Sequence, residues 1–243
     1  MPSLEEGEVT RDAGRPALEG IRVVEIGSFV AGPFCGQLLG DLGAEVVKVE
    51  DPKRGDPMRG WGRSVGGGSS LWWSVLARNK KSVTIDLRTP RGQQVARDLI
   101  LTADILVENF RPGTIERWGL GPERLMEERP ELIVVRISGY GQTGPYKDRA
   151  GFGSVAEAMG GLRYLVGYPD RPPPRLGISI GDSLAGTFGS LGAVAAIFAR
   201  EKLGRGQVVD VAIYEAVMAM MESVVSEFAL MGSVRGRTGT VLP

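Results

Sequence analysis

Histidine does not occur in this sequence, and cysteine occurs once, at Cys35. The first absence excludes Ser-His-Asp and Cys-His triads, histidine-based zinc sites and a histidine general base, and no metal site is expected. The second rules out an intrachain disulfide framework and fits a reducing compartment, so the expected location is cytoplasmic. Net charge is lacking too, since 29 Lys plus Arg balance 29 Asp plus Glu. No overall field draws nucleic acid or an anionic membrane, so neither is an expected partner, and any anion site has to be a local cluster. Residues 1–17 are polar and acidic, have no apolar stretch of the signal-peptide kind, and read as a loose tail.

What is present is ordinary globular material, 42% hydrophobic and 24% charged over 243 residues, enough for one large or two small domains. Glycine is the exception: its 36 residues are about twice the usual share, and close backbone approach is the expected reason.

Short β-branched runs alternate along the chain with apolar-periodic stretches. Residues 21–26, 45–49, 82–87, 105–108, 132–137 and 207–211 read as strands, and 34–42, 90–100, 112–118, 122–129, 152–159 and 214–230 as helices. That alternation argues for an α/β fold with a mostly parallel, Rossmann-like sheet. The opening strand, glycine loop, helix and strand form a βαβ unit, although Phe29 stands where a dinucleotide fingerprint needs a second close glycine. Residues 51–73 hold Trp61, Trp72, Trp73 and four cations without a sustained period. They read as a long loop that either closes on an aromatic or anionic ligand or packs as surface. Ligands in open α/β sheets lie beyond the carboxyl ends of strands, which makes Asn109 and Phe110 ligand candidates. Phe110 offers a stacking face for a purine, or ordinary packing. Met218, Met220 and Met221 read as core filler.

One stretch draws these elements together: Ile178-Ser-Ile-Gly-Asp-Ser-Leu-Ala-Gly186, followed by an apolar run. The run from Ser183 to Ala199 is 17 residues with three glycines, short for a membrane span, and reads as a buried core helix. Asp182 is the stretch's one ionisable group. It reads either as a helix N-cap, accepting an otherwise unpaired N–H, or as a carboxylate nucleophile kept ionised by the helix N-terminus with small neighbours leaving room for a substrate.

The motifs L-E-G-I-R-V-V-E-I-G, A-G-P, L-G-A-E-V-V-K-V-E, N-K-K-S-V-T-I-D-L, D-I-L-V-E-N-F-R-P-G, I-S-G-Y-G, G-D-S-L-A-G and G-R-G-Q-V-V-D-V occur in this order. Each is weak alone, but the ordered set, over residues 18–243, resembles the class III CoA-transferases, the family of formyl-CoA:oxalate and carnitine CoA-transferases. The resemblance implies that Asp182 is the covalent nucleophile of CoA transfer, working through an aspartyl anhydride and an aspartyl-CoA thioester, with acyl-CoA and a carboxylic acid as substrates and no permanently bound cofactor. It also implies CoA contacts at Val30, Ala31, Ile85, Arg88, Asn109, Phe110 and Arg117, the two arginines serving the phosphates.

F-G-S-V-A-E-A-M-G-G and R-P-P-P-R-L-G-I-S-I-G-D-S-L-A look more like members handling succinyl-CoA and small dicarboxylates, with Arg175 a partner for a second carboxylate. Gly153-Ser154 departs from the acidic or amide-bearing pair of some relatives. The resemblance further implies a large domain over 18–231, a linker beginning at 232–243, a second, smaller domain absent from this chain, and an interlocked homodimer or related heteromer at full length. The rivals are a truncated, non-catalytic CoA-binding module, an α-methylacyl-CoA racemase, which shares the fold but relies on a proton-transferring pair that usually includes histidine, and a methyltransferase built on E-I-G-S-F-V-A-G.

Overall fold

The computed structural model describes residues 14–241. Most of the expected N-terminal tail, 1–13, and the last two linker residues, 242–243, lie outside the described residues. In chain order the elements are β1 (Arg22–Glu25), α1 (Ala31–Asp41), β2 (Glu45–Glu50), a 3-10 turn (Pro57–Gly60), α2 (Leu71–Leu76), β3 (Lys80–Thr84), α3 (Pro90–Ile100), β4 (Ile105–Glu108), α4 (Thr114–Arg117), α5 (Pro122–Glu128) and β5 (Ile133–Ser138). Then come α6 (Gly153–Met159), α7 (Leu162–Leu165), α8 (Ile180–Leu203), β6 (Val208–Ala212), α9 (Ile213–Met218) and α10 (Val224–Met231).

The six strands lie in the order β3-β2-β1-β4-β5-β6, and every pairing is parallel. β-branched residues fill the central strands because both faces are covered, and successive side chains go to opposite sides. Val23, Ile105, Val107, Ile133 and Val135 join α1 and α8 in one core. Val24, Leu106 and Val134 join Ala96, Ile100, Ile115 and Leu125 in the other. The chain steps outward from β1 to β3, returns to set β4 on the other side of β1, then proceeds to β6. The order reverses between β1 and β4, which opens a crevice at their carboxyl ends.

The glycines of α8 do what close approach requires. A Cβ on Gly186 would stand 2.9 Å from the Ala31 carbonyl oxygen, and one on Gly192 2.6 Å from Val209, so α8 lies directly on α1 and β6. Thr89 caps α3 by accepting the Gly92 N–H at 3.0 Å, with Pro90 next, as its sequence predicts.

Several expectations need correction. The 51–73 segment is not all loop: Ser70 caps α2 by accepting the Trp73 N–H at 3.1 Å, a local signal masked by the surrounding glycines. The third strand lies at 80–84 rather than 82–87, an edge strand whose lysines, Lys80 and Lys81, pair with β2. The predicted 214–230 helix is two helices, parted near Glu222 at φ 51°, a left-handed backbone no helix continues through. Met221 is buried as expected, but Met218 and Met220 are 44% and 47% exposed. The apolar helix after Asp182 is buried on one face only, since Leu191 and Phe198 are exposed.

Candidate active site

The crevice is held open by buried charge. Lys48, on β2, is 1% exposed and its ammonium reaches Glu25 at 2.6 Å and Asp56 at 2.9 Å. It also donates to the Gly27 carbonyl at 2.8 Å. Lys80 approaches the other oxygen of Glu25 at 2.6 Å and donates to the Pro33 carbonyl at 2.6 Å. Burial would raise the pKa of Glu25, but the Lys48 and Lys80 ammoniums hold it below the ordinary value. Glu50 takes Arg59 in a two-point contact at 2.7 and 2.8 Å. Glu25 of the first strand and Lys48 and Glu50 of the second thus fasten the loops that follow them.

Asn109, at the end of β4, clasps the β1–α1 loop, its amide oxygen accepting the Ser28 N–H at 2.8 Å and its amide nitrogen donating to the Ser28 carbonyl at 2.9 Å. A Cβ on Gly27 would fall 2.2 Å from that amide oxygen. Phe29 follows at φ 65°. The conformation a glycine fingerprint would use is therefore adopted by a phenylalanine, whose ring meets Trp61 edge-on at 5.6 Å. A non-glycine residue here is strained, and the Asn109 clasp together with the Phe29 N–H bond to Asp56 at 3.3 Å holds it.

Two cavities flank the crevice. The larger, ≈ 590 Å³, is lined by Phe29, Val30, Ala31, Asn109, Phe110 and Asp182, with Gly153 and Ser154 on α6 and the cations Arg111, Lys147, Arg149 and Arg175. The smaller, ≈ 360 Å³, holds Ile85, Arg88 and Arg54 and shares Phe110 with the first. Phe110 is fixed by its own N–H bond to Glu108 at 2.8 Å and by an edge contact with Trp118 at 5.1 Å.

Of the residues singled out from sequence, Val30, Ala31, Asn109, Phe110 and Asp182 meet in the larger cavity, and Ile85 and Arg88 in the smaller. Arg88 is already paired, with Asp86 at 2.7 Å and Asp51 at 2.9 Å. Arg117 lines neither cavity; its guanidinium donates to Thr114 at 3.1 Å. Asn109 spends both amide groups on the Ser28 backbone, which makes it a clasp for the loop. Arg111, Lys147 and Arg149 were not singled out, the last two lying in a Gly/Pro-rich stretch without periodicity. Arg149 stands 4.1 Å over the Tyr146 ring.

The N-cap reading of Asp182 is overturned. Ser179 holds the cap position and α8 starts at Ile180, so Asp182 is the third helical residue. No hydrogen bond reaches its carboxylate among the described residues. Its room comes from Gly153: a Cβ there would be 2.4 Å from Asp182 Oδ2, which gives a geometric reason for the Gly153-Ser154 departure. Burial, then the charge of Glu157, push the Asp182 carboxyl up to about 6, with Arg175 acting the other way. The expectation that the helix end keeps this group readily ionised is corrected, because desolvation and the Glu157 charge outweigh the opposing charge of Arg175.

A test follows from linkage. The folded carboxyl binds its proton more tightly than the unfolded one, so stability falls as pH rises from the ordinary 3.8 through about 6. Asparagine does not titrate. Relative to the parent, Asp182→Asn is expected to gain roughly 2–3 kcal/mol between pH 4 and pH 7. Urea unfolding midpoints at the two pH values measure it, and an equal difference at both would contradict the burial argument.

A family model described as CoA-transferase family III matches residues 18–243. The chain is 62% identical over 226 residues to the succinyl-CoA–D-citramalate CoA-transferase of Chloroflexus aurantiacus, covering 93% of this chain and 56% of that protein. It is 47% identical over 224 residues to the succinyl-CoA–L-malate CoA-transferase alpha subunit of Chloroflexus aurantiacus, covering 91% of this chain and 52% of the relative. The crystal structure of a CaiB/BaiF family protein from Brucella suis superposes with a TM-score of 0.89 at 36% identity, over 95% of this chain and 62% of that one. The chain spans about half the length of these curated relatives.

Proposed function

This chain belongs to CoA-transferase family III, and from that premise we propose that the whole protein moves coenzyme A from succinyl-CoA to a small carboxylic acid, with Asp182 as the nucleophile. The observation carrying this reading is Asp182 itself, a carboxylate with no hydrogen bond among the described residues, on the wall of a cavity beside the sheet's switch point. In the first step an Asp182 oxygen bonds to the thioester carbonyl carbon, the C–S bond breaks, and CoA leaves as thiolate with the electron pair. The thiolate then attacks the Asp182 carbonyl carbon and the donor acid departs, leaving an aspartyl-CoA thioester. The acceptor carboxylate repeats the two steps in reverse and restores Asp182. Each hard exchange is split into easier acyl transfers, and no proton has to move.

Four cations, Arg111, Lys147, Arg149 and Arg175, line the cavity that holds Asp182 and support a doubly anionic acid, because a lone reacting carboxylate leaves most of that charge unmatched. In this reading Arg175 faces the second carboxylate. CoA runs along the crevice past Phe110, its reacting end in the Asp182 cavity beside Val30 and Ala31 and its other end toward Ile85, with Arg88 near its phosphates. Residues 18–231 act as the large domain of a cytoplasmic protein assembled as an interlocked homodimer or related heteromer.

Incubation of the whole protein with succinyl-CoA, trapping with hydroxylamine or borohydride and peptide mass mapping test the reading. The expected result is a single modification at Asp182. Label at another residue, or none, overturns it.

A further inference from the structure

Behind Asp182 stands a second acid to which the reaction above gives no part. Glu157 lies on α6 one turn beyond Gly153 and is 1% exposed. Residues four apart share a helix face, so Glu157 and the glycine that accommodates Asp182 look the same way. Gly181, the neighbour of Asp182, closes on the same spot from α8. A Cβ there would be 3.5 Å from Glu157 Cγ and 3.2 Å from the Gly153 carbonyl oxygen. Two carboxylates therefore converge where α6 meets α8, with glycine on both sides of the contact.

Glu157 is not explained as a structural acid. Its Oε2 is buried without a hydrogen-bond partner among the described residues, and so is Arg163 Nε on α7. The two are 3.5 Å apart, a charge contact without hydrogen-bond geometry. Buried polar atoms are nearly always satisfied, and an exception asks for a reason. The charges acting on Asp182 are Glu157 from α6 and, in the opposite sense, Arg175 from the segment before α8. From α9, which packs through Val217 on Gly160, the residue that ends α6, come Tyr214 and Glu215, bonded to each other at 2.8 Å.

We propose that Glu157 is a positioning residue for the nucleophile, its buried negative charge at the α6–α8 contact strengthening the Asp182 carboxylate as an electron donor toward a thioester carbonyl. The inference rests on the assignment of Asp182 above. An ordinary carboxylate is a much weaker base than the thiolate it must displace, so its attack runs uphill. A neighbouring negative charge in a desolvated site narrows that gap. Glu157 acts through Asp182 and does not touch the substrate.

The rate of Asp182 adduct formation with succinyl-CoA, measured against pH in the whole protein, tests the assignment. In Glu157→Gln the acid limb is expected to move down by about one pH unit and the plateau rate to fall about 3- to 10-fold, with KM for the acyl-CoA nearly unchanged. Arg163→Gln frees the Glu157 charge from its counter-ion and is expected to move the limb upward, which no loss of packing would produce. It also carries the test should Glu157→Gln fail to fold. Limbs that superimpose on the parent's, with the adduct present, overturn the role of Glu157 alone. Absence of the adduct from the parent protein overturns the assignment of Asp182 and this inference with it.

Discussion

Replacing Asp182 with asparagine in the whole protein is expected to lower CoA transfer by at least 10³-fold, a loss of about 4 kcal/mol of transition-state stabilisation. Asparagine keeps the shape of the side chain and the Gly153 contact, so the cavity remains intact. What disappears is the anionic oxygen that attacks the thioester; the chain has no histidine, and Asp182 is the acid on the wall of its cavity. Acyl-CoA binding should survive, because the crevice at Phe110 and Ile85 is untouched. Asp182→Ala should match the loss, and steady-state turnover with binding measured in parallel checks both. Turnover within tenfold of the parent would end the nucleophile assignment. This loss of activity accompanies the gain in stability expected above pH 6, a trade made at sites that hold an unfavourably buried charge.

Lys48→Met is expected to destabilise the protein by about 3–5 kcal/mol, because it strips the shared cation from Glu25 and Asp56 while both stay buried. Methionine preserves most of the aliphatic stem, so the loss is electrostatic rather than a cavity. The exposed pair Arg22–Glu45 serves as control, with side chains 44% and 35% exposed, and Arg22→Ala should lose no more than about 1 kcal/mol. Denaturant unfolding of the two variants gives the comparison, and a Lys48→Met loss below that of the control would show that the buried network is not what fixes these loops. Since Lys48 also donates to Gly27 and Asp56 holds the Phe29 N–H, the same variant should weaken acyl-CoA binding.

Much of the architecture was readable from residue order. The β-branched runs marked β1, β2, β4 and β5 because central parallel strands are apolar on both faces, a signal that needs no partner to be seen. Thr89-Pro90 marked the start of α3 for the same local reason. The edge strand β3 slipped by two residues, since its lysines carry no core pattern, and the helix after β6 was read through a break that only Glu222's left-handed backbone reveals. Asp182 stood out as the ionisable group of its motif, but its surroundings did not. Gly153, Glu157, Arg111 and Arg175 lie up to 71 residues from it in the chain and come together where α6, α8 and the loop after β4 converge.

The order of hydrophobic and small residues, by itself, determined a layered α/β sheet, a glycine-rich helix suited to close backbone approach, and an acid at the head of that helix, because each depends on periodicity or steric volume that a local stretch carries. The tertiary structure alone decided that the acid is uncapped and resists ionisation, that Asn109 serves the backbone, and that four cations share its cavity. Desolvation and charge act through space, between groups whose separation along the chain says nothing of their distance.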